Sequence, residues 1–301
     1  MKVFLPFPET ELGLPDDVAL MFDFEYADAT ERWPDSFVDC EFYVPSYRFS
    51  RRVVTVIPTM PKLQVIQTLT AGVEHVLPHV PDGVTVCNAA GVHDAATSEL
   101  AVGLMIGAQR RLAELVRAQD EHVWDSQMGG AVADRNVLVI GAGNIGRAIE
   151  RRLSGFECAT TLVGRTARQG VRAMSELPAL LPAADVVVLI VPLTDETRGL
   201  VDREFLAGMK DGALLVNVAR GAIVVTDDLL AEVTTGRLRA ALDVTDPEPL
   251  PPEHPLWDAP GVVVTPHVGG ASDAMWPRSY RLVAEQLRRI TRGEPLLNVV
   301  T

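Results

Sequence analysis

Three residues in the second half of the chain have the types needed for acid–base chemistry, and each lies just beyond an apolar run. Arg220 follows residues 214–218 in Asn217-Val218-Ala219-Arg220-Gly221. Glu248 follows Asp243, the last residue of the run 238–243. His267 follows residues 262–264 in Thr265-Pro266-His267. An arginine can hold an anionic group and polarise a carbonyl beside it, and a histidine can deliver a proton near neutral pH. A carboxylate against an imidazole orients the ring and stabilises its charged form. Few other protein groups are needed for hydride reduction of a carbonyl, because a cofactor carries the rest of the chemistry. Taken singly, these residues also read as a turn charge, a solvated acid and a satisfied histidine. Their common placement past strand ends is what joins them into one candidate site. Asp243, closest to the sheet, is open to two readings: capping backbone groups or contacting a cofactor.

The elements that must position these residues are strands. Residues 185–191, 213–218, 238–243 and 261–264 are near-continuous apolar runs, the pattern of parallel strands covered on both faces. Helical or turn segments at 197–208 and 226–235, and a proline-rich bend at 247–255, separate them. The expected architecture is a doubly wound parallel sheet, on which ligands bind outside the carboxyl ends of the strands.

The same sheet begins with residues 136–168. The run 137–140 reads as a buried strand, Gly141-Ala142-Gly143-Asn144-Ile145-Gly146 as a turn, 147–153 as a helix and 159–163 as a second strand. Gly141 permits the tight turn, Gly143 lets the backbone approach a pyrophosphate, and Gly146 lets helix and strand pack closely. The helix N-terminus then presents unpaired N–H groups to the anion. The second strand leads into Gly164-Arg165-Thr166-Ala167-Arg168. A carboxylate there would hold the ribose hydroxyls of NAD, whereas guanidinium groups pair with a 2′-phosphate. With Arg165 and Arg168 present and no acid, the segment favours NADP(H) over NAD(H).

Composition bounds the rest. The 301 residues suffice for two domains, and 48% hydrophobic with 22% charged residues describes a globular protein. A net charge of −13 argues against nucleic-acid or anionic-membrane partners. Cys40, Cys87 and Cys158 lack metal-ligand spacing and read as reduced, buried thiols of a cytoplasmic protein. Neither a signal peptide nor a spanning apolar run is expected. Residues 1–97 read as a small α/β domain with strands at 2–7, 40–44, 65–69 and 84–87. Gly72, just past the third, allows backbone N–H groups of its loop to face a small anion. Residues 94–119 read as one helical stretch.

These segments together resemble the D-isomer-specific 2-hydroxyacid dehydrogenases. The resemblance is carried by GAGNIG at 141–146, VPLTDETRGL at 191–200, MKDGALLVNVARG at 209–221, ALDVTDPEPLP at 241–251 and TPHVGG at 265–270. TAGVEH at 70–75 and NAAGVHDAATSELAVGLM at 88–105 add to it. It implies a Rossmann-type cofactor domain at 98–271. It also implies a smaller flavodoxin-like substrate domain at 1–97, completed by 272–301. Arg220, Glu248 and His267 fall on the family's catalytic residues. Ala71, Gly72 and Val73 fall on the segment that grips the substrate carboxylate, with Arg220 as its other anchor. Ala142–Ile145 fall on the pyrophosphate turn, Pro192 and Thr194 beside the nicotinamide ribose, and Ala219 and Asp243 near the nicotinamide. Homodimers joined through the cofactor domain are common in the family. GRTAR and EPLPPEHPLW look most like the NADPH-dependent glyoxylate/hydroxypyruvate reductases, which reduce short 2-oxoacids. Two alternatives stay open: an NAD-linked enzyme for bulkier substrates, and a dinucleotide-sensing regulator. Tyr47, Trp276, His75 and His93 are left outside the site.

Overall fold

The computed structural model describes residues 1–26, 33–47 and 51–301. The chain forms two compact units, Met1–His93 with Asp273–Thr301, and Asp94–Ser272. The first division falls ahead of the expected 97/98 because the helix Asp94–Gln109 begins there and stays whole in the second unit.

In the first unit, β1 (Lys2–Leu5), β2 (Asp23–Tyr26), β3 (Phe42–Tyr43), β4 (Val65–Gln67) and β5 (Thr85–Cys87) form a sheet of order β2-β1-β3-β4-β5. Every pairing is parallel, which is the flavodoxin-like arrangement. One face packs Phe4, Tyr43, Ile66 and Val86 against Phe37 and Ile57. The other packs Val3, Leu5, Phe42 and Val65 against Val283, Ala284 and Leu287 of the C-terminal helix Met275–Arg292. Each fully buried aliphatic side chain of this kind contributes about 1.5–3 kcal/mol. The helix is also held by a buried amide pair, in which Gln286 Nε2 donates to Gln67 Oε1 at 2.7 Å. The edge strand β2 was absent from the sequence reading. Its acids Asp23 and Glu25 lie 3.2 Å from the Lys2 ammonium, so an apparently polar segment pairs with β1.

The second unit holds β6 (Asn136–Ile140), β7 (Ala159–Gly164), β8 (Arg172–Ala173), β9 (Val186–Leu189), β10 (Leu214–Asn217), β11 (Arg239–Leu242) and β12 (Val262–Val264). Their order, β12-β11-β10-β9-β6-β7-β8, reverses direction between β6 and β9, and all pairings are parallel. Alternate residues face two cores. Leu138, Ile140, Val187 and Leu215 pack with Leu206, Leu229 and Val233 on one side. Val137, Val139, Val188 and Val216 pack with Leu104, Met105 and Ile149 on the other.

The single helix expected over 94–119 is two, Asp94–Gln109 and Leu112–Asp120, with Arg111 left-handed between them. The break has a local cause. Gly130 N donates to the Gln109 carbonyl at 2.8 Å, and the Arg239 guanidinium donates to Ala108 O and Gln109 Oε1. A Cβ on Gly129 would stand 3.0 Å from the Gln109 carbonyl, so a larger residue would crowd this approach. Among the described residues, no helix is long and apolar enough to cross a membrane. Cys40 and Cys87 are buried, while Cys158 is only half-buried; no disulfide joins them. Burial pushes the Cys40 thiol up to about 12 and the Cys87 thiol up to about 11.

Candidate active site

The glycine turn lies between β6 and the helix Asn144–Leu153, at the reversal of strand order. A Cβ on Gly146 would lie 1.8 Å from the Gly141 carbonyl, and one on Gly141 would lie 2.1 Å from the Ile190 carbonyl, so both positions exclude side chains. Gly143 differs, because a Cβ there meets nothing within 4 Å. It is the N-cap of a helix that has no side-chain cap. In the same unit, Asp202 caps the helix Arg203–Ala207 by accepting from Phe205 N at 2.9 Å. The turn Gly141, Ala142, Gly143, Asn144, Ile145, Gly146 therefore offers uncapped amides beside open space, and a dinucleotide's pyrophosphate fits that chemistry.

At the end of β7, Arg168 folds back on the turn and its Nη2 donates to Ala142 O at 2.9 Å. Gly164 makes room for it, since a Cβ there would sit 3.1 Å from Arg168 Nη1. Arg165 and Thr166 are exposed. On the loop after β9, Thr197 Oγ1 donates to Pro192 O at 2.6 Å and accepts from Thr194 N at 2.8 Å. Thr194 Oγ1 donates to Glu196 at 2.6 Å. That hydroxyl, with the charge of Arg165, holds the Glu196 carboxyl below its ordinary range.

Arg220 stands past β10. The side chain of Asn217, 1% exposed, accepts from Ala219 N and donates to Arg220 O, both at 3.0 Å. Arg220 Nη1 donates to Ala219 O at 2.6 Å. The next strand end is joined to this one, because Asp243 N donates to Asn217 O at 2.9 Å. Asp243, 2% exposed, accepts from Thr265 Oγ1 at 2.6 Å and Val268 N at 2.9 Å on Oδ1, and from Gly269 N at 2.8 Å on Oδ2. Its carbonyl accepts from His267 N at 2.8 Å. The capping of backbone groups, one of the two readings of Asp243, is present here. His267 has a left-handed backbone, φ +53°, which costs a non-glycine residue about 1–2 kcal/mol. Its Nδ1 lies 2.5 Å from Glu248 Oε1, so the proline-rich bend and the loop after β12 meet in a hydrogen bond.

In the first unit, residues 71–73 follow β4. Thr70 O accepts from Thr68 Oγ1, Ala71 O from Asn88 Nδ2 and Gly72 O from Thr70 Oγ1, at 2.7 to 3.0 Å. These bonds tie the carbonyls of the segment to the side chains of Thr68, Thr70 and Asn88. Asn217, Thr197 and Thr265 escaped the sequence reading; the signal for Asn217 and Thr265 was a polar residue at or just past the end of an apolar run, whereas Thr197, well into a loop, carries none.

A doubly wound sheet that carries an uncapped glycine turn, and past its other strand ends an arginine and a His–Glu pair, has the parts of a nucleotide-dependent dehydrogenase. Residues 102–269 match the family model described as D-isomer specific 2-hydroxyacid dehydrogenase, NAD binding domain. The mouse glyoxylate reductase/hydroxypyruvate reductase is 36% identical over 248 residues, covering 78% of this chain and 76% of that one. A D-isomer specific 2-hydroxyacid dehydrogenase from Xanthobacter autotrophicus Py2, solved with NADPH and MES, superposes with a TM-score of 0.81 at 27% identity. The match covers 100% of this chain and 97% of that one. An NADPH-dependent glyoxylate/hydroxypyruvate reductase from Sinorhizobium meliloti, solved with NADP and sulfate, gives 0.81 at 27% identity over 99% and 98% of the two chains. The chain belongs to the D-isomer-specific 2-hydroxyacid dehydrogenase family, whose members are NAD(P)-dependent dehydrogenases and reductases.

Proposed function

We propose that the protein reduces a short 2-oxoacid of the glyoxylate or hydroxypyruvate type to the D-2-hydroxyacid, with NADPH as reductant. The observation that carries this reading is the 2.5 Å contact between His267 Nδ1 and Glu248 Oε1. A carboxylate accepts, so Nδ1 keeps its proton and Nε2 is the ring nitrogen that delivers one to the substrate's carbonyl oxygen. Arg220 anchors the substrate carboxylate and draws charge toward the carbonyl oxygen, and the amides of residues 71–73 hold the carboxylate's other side. A reduced nicotinamide, when bound, supplies the hydride to the carbonyl carbon. On the cofactor side Gly141, Ala142, Gly143, Asn144, Ile145 and Gly146 take the pyrophosphate. Pro192, Thr194, Ala219 and the remaining acceptor site of Asp243 serve the nicotinamide half. Arg165 and Arg168, with Gly164 and Thr166, take the 2′-phosphate. The position of Arg168 against Ala142, and the absence of a carboxylate between Gly164 and Arg168, support NADPH.

The test is a grid of glyoxylate, hydroxypyruvate, pyruvate and phenylpyruvate, each with NADPH and NADH, followed by loss of reduced-nicotinamide absorbance. Fast turnover of the two small acids with NADPH is expected. A preference for phenylpyruvate or for NADH would overturn the substrate or the cofactor part of the reading. The proposed assembly is a homodimer through the second unit. Trp124 and Met128 there are 94% and 95% exposed, and Leu112 and Val116 of the preceding helix are half-exposed. Light scattering on the purified protein should return twice the chain mass, and a monomer mass would refute it.

A further inference from the structure

We infer that Asp243 is the positioning residue for His267. The inference rests on the proposed role of His267 as proton donor. Loops usually take their shape from side chains on their own surface, but the 265–269 loop is bound from beneath. The buried carboxylate of Asp243 gathers the Thr265 hydroxyl and the amides of Val268 and Gly269, and its carbonyl takes the His267 amide. Three of the roughly four lone-pair sites of an ionised carboxylate are thus occupied by one five-residue loop. These bonds flank His267 on both sides and maintain its left-handed backbone, which few residues adopt without support.

Two further features show that the fit is tight. A Cβ on Gly269 would lie 2.9 Å from Asp243 Oδ2, so a larger residue there would have to displace the carboxylate. The Gly269 carbonyl is pinned in turn by Thr97 Oγ1 at 3.2 Å. Asp243 is itself fixed by the sheet, through its amide bond to Asn217 O beside the Arg220 loop. The arrangement transmits the position of the β10–β11 strand ends to the imidazole, while Glu248 sets the rotation of the ring. Asp243 need not touch the reacting atoms to act.

The test compares Asp243→Asn, Thr265→Val and His267→Ala in the full chain. Asn at 243 keeps the volume and one acceptor oxygen for Thr265 and Val268, but it turns an amide NH2 toward the Gly269 N–H, so the loop loses one bond and meets a donor–donor clash. The expected result is a fall in kcat of about 10- to 100-fold, the cost of small misplacement of a reacting group. Because the remaining acceptor site of Asp243 is assigned to the nicotinamide half, NADPH affinity by fluorescence titration should fall by less than kcat, and the solvent isotope effect on kcat should rise as proton delivery becomes slow. Thr265→Val, which removes one donor and keeps the shape, should shift kcat and the isotope effect in the same direction by less. It also decides the matter if Asp243→Asn does not fold. Unchanged kcat and isotope effect in both variants would overturn the inference while leaving His267 in place. So would a loss confined to NADPH affinity, which would leave Asp243 a cofactor contact and nothing more. Undiminished turnover in His267→Ala would overturn the underlying reading, and the inference with it.

Discussion

The glycine turn after β6 and the histidine loop after β11 and β12 stand on one sheet and solve opposite problems with the same backbone chemistry. Both present clustered amides. At residues 141–146 three glycines carry no side chain and the helix is left uncapped, so the anion must come from a ligand. At residues 265–269 the protein supplies its own anion, the Asp243 carboxylate, and the amides are satisfied before anything binds. The first site is open to an outside partner, whereas the second is closed on itself and rigid, as befits a group that must hold a proton in place.

Substitutions can break each half of this contrast separately. The largest structural effect is expected at Gly146→Ala, where the added Cβ meets the Gly141 carbonyl. Overpacking of this kind costs about 1–3 kcal/mol, and thermal unfolding should record it. Gly143→Ala, whose Cβ meets open space, should leave the melting temperature alone and weaken NADPH binding about 10-fold, close to 1.4 kcal/mol. If both variants lose stability, Gly143 is structural and the open-site account fails. Arg165→Ala with Arg168→Ala should weaken NADPH by about 10- to 100-fold, the worth of one or two charged hydrogen bonds, and leave NADH nearly unchanged. Equal losses for both cofactors would remove the 2′-phosphate assignment.

A smaller effect concerns the opposite end of the sheet. Partial burial works against the charge on Asp185, but the Asn136 amide, the Lys210 ammonium and the Arg135 guanidinium outweigh it. They hold its carboxyl below the usual range. A carboxyl depressed in the folded state stabilises the fold above its unfolded pKa, about 3.9, and that contribution is lost as pH falls through the folded value. Asp185→Asn should therefore cost about 1–2 kcal/mol at neutral pH, with the difference from the parent closing in acid. A difference independent of pH would show that packing, and not charge, is at stake.

The same contrast explains what was legible in the sequence. The glycine turn is written locally, in six consecutive residues between two apolar runs, so its place was readable from spacing alone. The strands β6, β7 and β9 to β12 followed from runs such as Val186–Leu189, because both faces are covered. The edge strand β2 was hidden because Asp23 and Glu25 are neutralised by Lys2, a partner distant in the chain. The break at Arg111 depends on Gly130 and Arg239, which no helical period reveals. Asp243 was singled out by its position, but its partners Thr265, Val268 and Gly269 arrive only when β11 and β12 pair.

The most direct measurement on the whole account is turnover of glyoxylate and hydroxypyruvate by His267→Ala, with NADPH binding measured on the same sample. Loss of a positioned general acid predicts a fall in kcat of about 10²- to 10⁴-fold with NADPH bound as tightly as by the parent. Turnover at the parent rate would contradict the assignment of His267 as the proton donor and send the search for that donor elsewhere in the chain.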